Sequence, residues 1–314
     1  MPDPLICVVG PTACGKTKMG VLLAQRYGGE VVSCDSMQLY RGMAIGTAAP
    51  TAEEMEGVPH HMVAVADPRE AYSVARYARD AGACVDDILA RGKRPVVVGG
   101  TGLYLDALLA GHDFAAGQSG GKIRAELEAR LAAEGPDALL AELRSVDPER
   151  AERLAPRDGK RIVRALEVFY ETGRSLSEHE RETRCVPPRY EAVLLGFAFE
   201  DRADMRAAID RRVDAMVARG LFDEVRALLS SGVPRDSTAF QAIGYKECLA
   251  YLDGGASRDE AVAEIKLRSR QYAKRQLTWL RRNGAIHWYH WKKTRDFQAA
   301  LAFSTEILSA HGVS

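Results

Sequence analysis

An α/β fold is predicted, with a parallel sheet flanked by helices, an all-helical insertion and a helical C-terminal part. Three observations predict it. Leu5 to Val9, Glu30 to Cys34 and Pro95 to Val98 are short apolar runs with the length and continuity of buried strands. Segments of helical spacing separate them, the alternation expected of a doubly wound sheet. From Gly117 to about Pro188 the spacing is helical without strand, and strand character returns at Tyr190 to Phe199.

The first strand leads into Gly10-Pro11-Thr12-Ala13-Cys14-Gly15-Lys16-Thr17, which fits the Walker A pattern of Gly, four residues, Gly, Lys, Ser or Thr. A helix is predicted over Lys18 to Tyr27, with Met19, Leu22, Leu23 and Arg26 or Tyr27 on one side. A loop between strand and helix in this pattern is a P-loop, and the sheet is therefore P-loop NTPase-like. Unpaired backbone N–H groups and the positive end of the helix dipole face the turn, so an anion of two or more phosphates is its natural occupant. Gly10, Thr12, Ala13, Cys14, Gly15, Lys16 and Thr17 are the binding candidates, with Lys16 reaching the outer phosphates and the Thr17 hydroxyl holding Mg²⁺. A Gly-rich turn with a chance Lys is the bland alternative.

The second strand ends on Asp35-Ser36. Ligands of doubly wound sheets bind outside the carboxyl ends of the strands, so Asp35 is the best single candidate for a chemical role, with a turn- or helix-capping Asp as the alternative. Met37 to Gly42 and Ile45 to Thr47 have neither period and read as an irregular active-site segment. His60 to Val65 is a possible short strand stopped by Asp67-Pro68, and its adjacent His60 and His61 point to opposite faces, unable to share a metal. Ser73 to Arg91 carries a helical stripe of Val74, Tyr77, Ala78, Ala81, Val85, Ile88 and Leu89, with Ser73 as N-cap and Gly92 as C′. Pro95 to Gly102 is a strand running into a Gly-rich turn, which sets Thr101 beside the presumed site; an ordinary structural Thr is the other reading.

The domain division expected is a core of 1–116 and 189–314 with a helical insertion at 117–188, bracketed by Gly120-Gly121 and Pro187-Pro188. Helical spacing covers Arg124 to Ala133, Ala138 to Val146 and Asp158 to Thr172, and Arg157, Lys160, Arg161 and Arg164 form a basic cluster that reads as a nucleic-acid contact or a solvated face. Later helices are predicted at Asp201 to Gly220, Leu221 to Ser230, Phe240 to Leu252 and Asp259 to Arg282. In the last of these, Lys266, Arg268, Arg270, Lys274, Arg275, Arg281 and Arg282 occur with no acid between them, interleaved with Tyr272 and Trp279. That pattern suggests a track for a phosphate backbone more than an ordinary surface helix.

Composition narrows the class. The chain of 314 residues is 46% hydrophobic and 27% charged with a formal net charge of zero, so a polyanionic partner must be met by a local patch. Its six cysteines are scattered without metal or disulfide spacing. The N-terminus enters a strand without a signal peptide and no apolar stretch approaches spanning length, so a cytoplasmic protein with no membrane partner is expected.

The chain resembles the bacterial tRNA dimethylallyltransferases, also called tRNA isopentenyltransferases. The likeness rests on residues 10–17, on Asp-Ser-Met-Gln-Leu-Tyr-Arg-Gly-Met-Ala-Ile-Gly-Thr-Ala (35–48), Val-Gly-Gly-Thr-Gly-Leu-Tyr (98–104), Arg-Ala-Leu-Glu-Val (164–168), Ala-Ile-Gly-Tyr-Lys-Glu (242–247) and Arg-Gln-Tyr-Ala-Lys-Arg-Gln-Leu-Thr-Trp-Leu-Arg (270–281). These blocks keep the family's order over nearly the whole chain. Cys14 departs from the usual Ser, and Gln118-Ser119-Gly120-Gly121 replaces a Pro- and Asp-containing run.

The resemblance implies transfer of a dimethylallyl group from dimethylallyl diphosphate to the exocyclic N6 amine of the adenosine immediately 3′ of the anticodon. It implies Mg²⁺ as cofactor, the tRNA anticodon stem-loop as partner, and a monomer. By the same likeness Asp35 is the general base, Thr101 orients the amine or the diphosphate, and Arg212 offsets diphosphate charge. Arg212 aligns with the family's Arg-Val-Asp turn, while Arg202, Arg206 and Arg211 remain alternatives. The tRNA contacts implied are Asp35, Ser36, Met37, Gln38, Thr101, Arg124, Lys160, Arg161, Arg164, Gln241, Gly244, Lys246, Lys274, Arg275 and Arg281. The rival readings are a P-loop kinase of small molecules or nucleotides, to which a basic helix is of no use, and a non-catalytic RNA-binding NTPase.

Overall fold

The structure, a computed structural model, describes residues 4–111 and 121–313, so Gly117 to Gly120, including the expected hinge glycine and the Gln118-Ser119 departure, lie outside the described residues. The chain divides into two compact units, Met1–Leu109 with Tyr190–Ser314, and Ala110–Arg189.

The first unit is built on β1 (Leu5–Val9), β2 (Gly29–Cys34), β3 (His60–His61), β4 (Arg94–Gly99), β5 (Ala192–Phe199) and β6 (Ile286–Trp291). They form one six-stranded sheet in the order β3-β2-β4-β1-β5-β6, with every described pairing parallel. Alternate residues serve different cores. Cys7, Val9, Val32, Cys34 and Val97 pack on one face with Tyr77, Ala81, Val85 and Ile88 of the helix Val74–Ala90. Ile6, Val8, Val31, Val96 and Val98 pack on the other with Met19, Val21 and Leu23 of the helix Lys16–Arg26. Burial on both faces is why these strands read as continuous apolar runs.

Register then decides what meets at the sheet's carboxyl edge. Val9 and Cys34 both pair with Gly99, so β1, β2 and β4 end level with one another. Gly10, Asp35 and Gly100 are therefore brought side by side, the placement from which a site can be built.

Several sequence expectations need correction. The strand expected over His60 to Val65 holds only for β3, because Met62 (φ 61°) and Ala64 (φ 53°) turn out of extended backbone. The helix expected over Phe240 to Leu252 is a 3₁₀ turn at Ala239–Gln241 followed by a helix at Tyr245–Leu252, divided by Gly244 at φ 99°. β6, the helix Gly102–Ala110 and the helix Phe297–Ala310 are additions to the sequence reading. The Ser73 cap is observed, its side chain accepting from the Arg76 N–H.

The second unit, taken by itself, is helical: Lys122–Glu134, Pro136–Val146, Pro148–Glu152, Gly159–Thr172 and Leu176–Cys185, with a 3₁₀ turn at Pro156–Asp158. Leu127, Leu139, Leu140, Leu143, Ile162, Val163 and Leu166 give it a separate apolar core. Glu167, fully buried, is an acceptor for both Arg124 (3.2 Å) and Arg164 (2.7 Å).

At the edge of the sheet opposite the loops, Glu30 is buried and accepts from both guanidinium arms of Arg91 (2.6 and 2.8 Å), from Lys93 (2.7 Å) and from the His61 ring (2.7 Å). Those hydrogen bonds, Arg91's first, hold its carboxyl far below the usual carboxylate range against the opposing effect of burial. A carboxyl depressed on folding contributes stability that is complete above its unfolded value, about 4.3, and is lost as pH falls through the folded one. The Glu30→Gln variant is expected to lose about 2 kcal/mol at pH 7, discounted for partly exposed cations. In denaturant titrations the gap to wild type should narrow below about pH 4; a gap independent of pH would refute the role given to the charge.

Candidate active site

The loop after β1 owes its shape to residues free to leave ordinary backbone geometry. Gly10 adopts φ 149°, and a Cβ there would lie 2.2 Å from the Phe197 carbonyl oxygen. Ala13 (φ 62°) and Gly15 (φ 88°) are left-handed on either side of Cys14. The Ala13 carbonyl accepts from Arg295, and the Cys14 carbonyl accepts from the Trp291 indole at 2.8 Å. In trans peptides the N–H opposes the C=O, so the Cys14 and Gly15 N–H groups turn away from that anchorage, as an anion cradle requires.

A cavity of about 310 Å³ opens at the carboxyl edge of the sheet, lined by Thr12, Lys16 and Thr17 from the loop, by Asp35 to Gln38 after β2, and by Arg212. Val98, Met216, Ala242, Ile243 and Ile265 give it an apolar wall, and Gln241, Ser269, Tyr272, Arg275 and Gln276 a polar one. A neighbouring cavity of about 390 Å³ is lined by residues 13–18 together with Arg211, Arg212 and Arg295. Lys16, Thr17 and Arg212 border both.

The two cations share an unusual condition. Lys16 Nζ donates to the Pro11 carbonyl (2.7 Å), Arg212 Nη2 to the Thr47 carbonyl (3.4 Å), and Arg212 Nε is buried without a hydrogen-bond partner among the described residues. Among those residues neither has a carboxylate at ion-pair distance. Burial pulls the Lys16 ammonium below its ordinary value, opposed by Cys14 and reinforced by Arg212. Burial likewise lowers Arg212, with Asp35 opposing. An anion set between them would reverse both effects.

Asp35 shows both behaviours weighed for it. Its Oδ1 accepts from the N–H groups of Met37 (2.9 Å) and Gln38 (3.3 Å), a turn cap. Its Oδ2 has no hydrogen-bond partner among the described residues, and the carboxylate borders the same cavity as Lys16. Thr101 sits just behind: its hydroxyl accepts from the Ser36 N–H (3.2 Å), and it is not among the residues lining either of these two cavities. Burial, followed by the Asp35 charge, pushes the Tyr272 phenol up to about 12, with the Thr101 side chain opposing.

Of the other candidates, Gln38 is engaged internally, accepting from the Ser33 hydroxyl (3.0 Å) and donating to the Ala48 carbonyl (3.3 Å). Gln241 and Arg275 border the cavity, whereas Gly244, Lys246, Lys274 and Arg281 do not. Arg202 and Arg206 are exposed and border neither opening. In the other unit Arg124 and Arg164 are paired with Glu167 while Lys160 and Arg161 are exposed.

The acid-free run on the last basic helix, observed as Arg258–Leu280, needs correction as a track of unpaired charge. Lys266 pairs with Asp214 (2.6 Å), Arg268 with Glu264 (2.5 Å) and Arg270 with Asp210 (2.7 Å), acids lying one turn earlier or on the helix Arg202–Ala218. Arg275 lies over the Tyr272 ring at 5.6 Å and Arg282 over Trp279 at 3.9 Å.

Sequence reasoning missed Gln276, Trp291 and Arg295. Gln276 had a signal: it is a neutral amide in a basic helix and on its buried face. Trp291 ends β6 and Arg295 follows it, and that strand carries no plain sequence signal.

Comparison with known proteins converges. The model of IPP transferase matches residues 38–283, and that of isopentenyl transferase matches residues 4–64. The chain is 48% identical over 286 residues to the tRNA dimethylallyltransferase of Thermomicrobium roseum, covering 91% of this chain and 86% of that protein. It is 46% identical to the enzyme of that name from Geobacillus thermodenitrificans, over 92% and 91% of the two chains. The structure is similar to that of the tRNA isopentenylpyrophosphate transferase of Bacillus halodurans, with a TM-score of 0.73, 40% identity and coverage of 99% and 98%. It is also similar to a eukaryotic dimethylallyltransferase acting on tRNA, with a TM-score of 0.83, 29% identity and coverage of 98% and 80%.

The backbone of the loop can be tested apart from any activity. Gly10→Ala, which adds strain to a collision with backbone, is expected to cost about 3 kcal/mol or more. Gly28→Ala, at φ 61° with nothing near the new methyl group, should cost only about 1 kcal/mol. Equal losses in chemical denaturation would show that Gly10 is no special position.

Proposed function

Because the chain belongs to the IPP transferase family, we propose that it transfers a dimethylallyl group from dimethylallyl diphosphate to the exocyclic N6 amine of the adenosine immediately 3′ of the tRNA anticodon. The observation that carries the reading is the shared cavity: Lys16 and Arg212, half-buried and with no carboxylate at ion-pair distance among the described residues, line it together with Asp35.

The diphosphate lies against the loop N–H groups, Lys16 and Arg212. As the allylic C–O bond breaks, its electron pair leaves on the diphosphate, and these donors offset the growing charge. The amine lone pair forms the new C–N bond. Asp35 Oδ2 takes the amine proton while Oδ1, held by the turn, keeps the carboxylate aimed. Thr101 and Tyr272 back the same carboxylate, and the apolar wall around Val98, Ile243 and Ile265 suits a five-carbon chain.

Mg²⁺ fits this donor set: Thr17 borders both cavities beside Lys16, and no group of three His, Cys, Asp or Glu that could hold a metal unaided occurs among the described residues. The Thr17 hydroxyl and the donor's own phosphate oxygens would hold the ion, which supplies further charge neutralisation to the leaving group.

The acceptor base leaves the anticodon-loop stack to enter the cavity. Ser36, Met37, Gln38, Gln241, Gly244, Lys246, Lys274, Arg275 and Arg281 of the first unit contact the RNA, as do Lys160 and Arg161 of the insertion. Arg124 and Arg164 join them from two helices that Glu167 ties together. No helix among the described residues is long and apolar enough to cross a membrane. We place the enzyme in the cytoplasm, acting as a monomer.

Incubation with Mg²⁺, labelled dimethylallyl diphosphate and unmodified tRNA should move label into the RNA; ATP consumption without labelled tRNA would favour a kinase. Asp35→Asn retains an acceptor for the turn and removes the base. Its kcat should fall by about 10²- to 10⁴-fold with tRNA affinity little changed. A variant with wild-type turnover would remove Asp35 from proton transfer.

A further inference from the structure

The first loop residue with a backbone N–H to offer after Gly10 does not offer it to a ligand. Pro11 has none, and the Thr12 N–H donates to Gln276 Oε1 at 2.8 Å. The same amide's Nε2 donates to the Gly100 carbonyl at 3.0 Å. The orientation is unambiguous: a backbone N–H can only donate and a carbonyl can only accept, so each end of the amide has one possible partner. Gln276 is 5% exposed, and a Cβ at Gly100 would stand 2.3 Å from its Nε2, so the backbone has been left bare for the amide to approach.

These two bonds join the phosphate loop after β1 to the turn after β4, the turn that leads into Thr101. Both ends come from one side chain on the helix that also carries Tyr272 and Arg275 into the cavity. We propose that Gln276 is a positioning residue: it locks the rim of the phosphate cradle to the acceptor side of the cavity. With Pro11 and Thr12 withdrawn, the cradle consists of the N–H groups from Ala13 onward, and its distance to the Asp35–Thr101 wall is held through this amide. The inference rests on the transferase reading for the identity of the anion and of the acceptor.

The test uses Gln276→Met, which keeps the volume and removes both bonds, alongside Gln276→Glu, which keeps an acceptor for Thr12 but turns a second oxygen to the Gly100 carbonyl. Folding is checked by circular dichroism, so that either variant suffices. For both, kcat/KM for dimethylallyl diphosphate is expected to fall by about 10- to 100-fold, the loss of two hydrogen bonds to a framed site. The Glu variant should suffer more, because its charge shares the cavity with Asp35. Affinity for tRNA should stay within about twofold, a split that a general loss of structure would not produce. Gly100→Ala, which displaces the amide, should lose a similar factor in the wild type and almost nothing further in Gln276→Met.

Inorganic diphosphate binding to the same variants, followed by calorimetry, reads the cradle without catalysis and should weaken in parallel. Undiminished donor kinetics and diphosphate binding in Gln276→Met would overturn the proposal, as would an equal loss of tRNA affinity, which would assign Gln276 to the RNA surface. Failure of the wild type to label tRNA, with diphosphate binding still sensitive to Gln276, would overturn the activity reading and leave the strut standing.

Discussion

Two half-buried positive charges that border the same cavities, with no carboxylate at ion-pair distance among the described residues, are the constraint on which the site depends. Lys16 and Arg212 come from the helices Lys16–Arg26 and Arg202–Ala218, and both are held by backbone carbonyls, a weaker compensation for charge than a carboxylate. The orphaned Nε of Arg212 shows how incomplete that compensation is. Charges compensated so incompletely oppose folding, and an anion set between them would offset that cost. A fold that keeps such a pair has its ligand chemistry written into its electrostatics.

What holds the pair in register is mostly the distal part of the chain. Trp291 and Arg295 reach back to the carbonyls of Cys14 and Ala13, and Gln276 to the Thr12 N–H. Glu224 does the same for the loop after β2, accepting from the N–H groups of Ile45 (2.7 Å) and Gly46 (3.0 Å), while the Tyr245 hydroxyl donates to the same carboxylate. The geometry of the loops that border the cavity is thus determined by residues far away in sequence. Parallel topology makes this unavoidable, since each strand end is reached only after a crossover.

The same separation explains what could be read from residues alone. The phosphate loop is local in sequence, so Gly10 to Thr17 announced itself, and Asp35 followed from the position of a strand end. Apolar runs buried on both faces were equally plain. The helices Gly102–Ala110 and Phe297–Ala310 were not, the first because apolar residues surround it too evenly to leave a stripe. β6, with the sequence Ile-His-Trp-Tyr-His-Trp, is a half-buried edge strand whose polar and aromatic residues obscure its period. The basic helix shows the converse error: its missing acids were present in space, on Asp210 and Asp214, where sequence distance hid them. Gln276 stood out only as a neutral amide in a basic helix; its partners could not be read, because both are backbone atoms and carry no residue identity.

The cation pair itself admits the most direct measurement. Calorimetric titration with inorganic diphosphate should give binding that weakens by about 10- to 100-fold in Arg212→Leu, the loss of charge-assisted hydrogen bonds to the anion. Arg202→Leu, on the exposed part of the same helix, should change it less than about twofold. Equal affinities for the wild type and Arg212→Leu would contradict the claim that this cation pair is where the diphosphate is held.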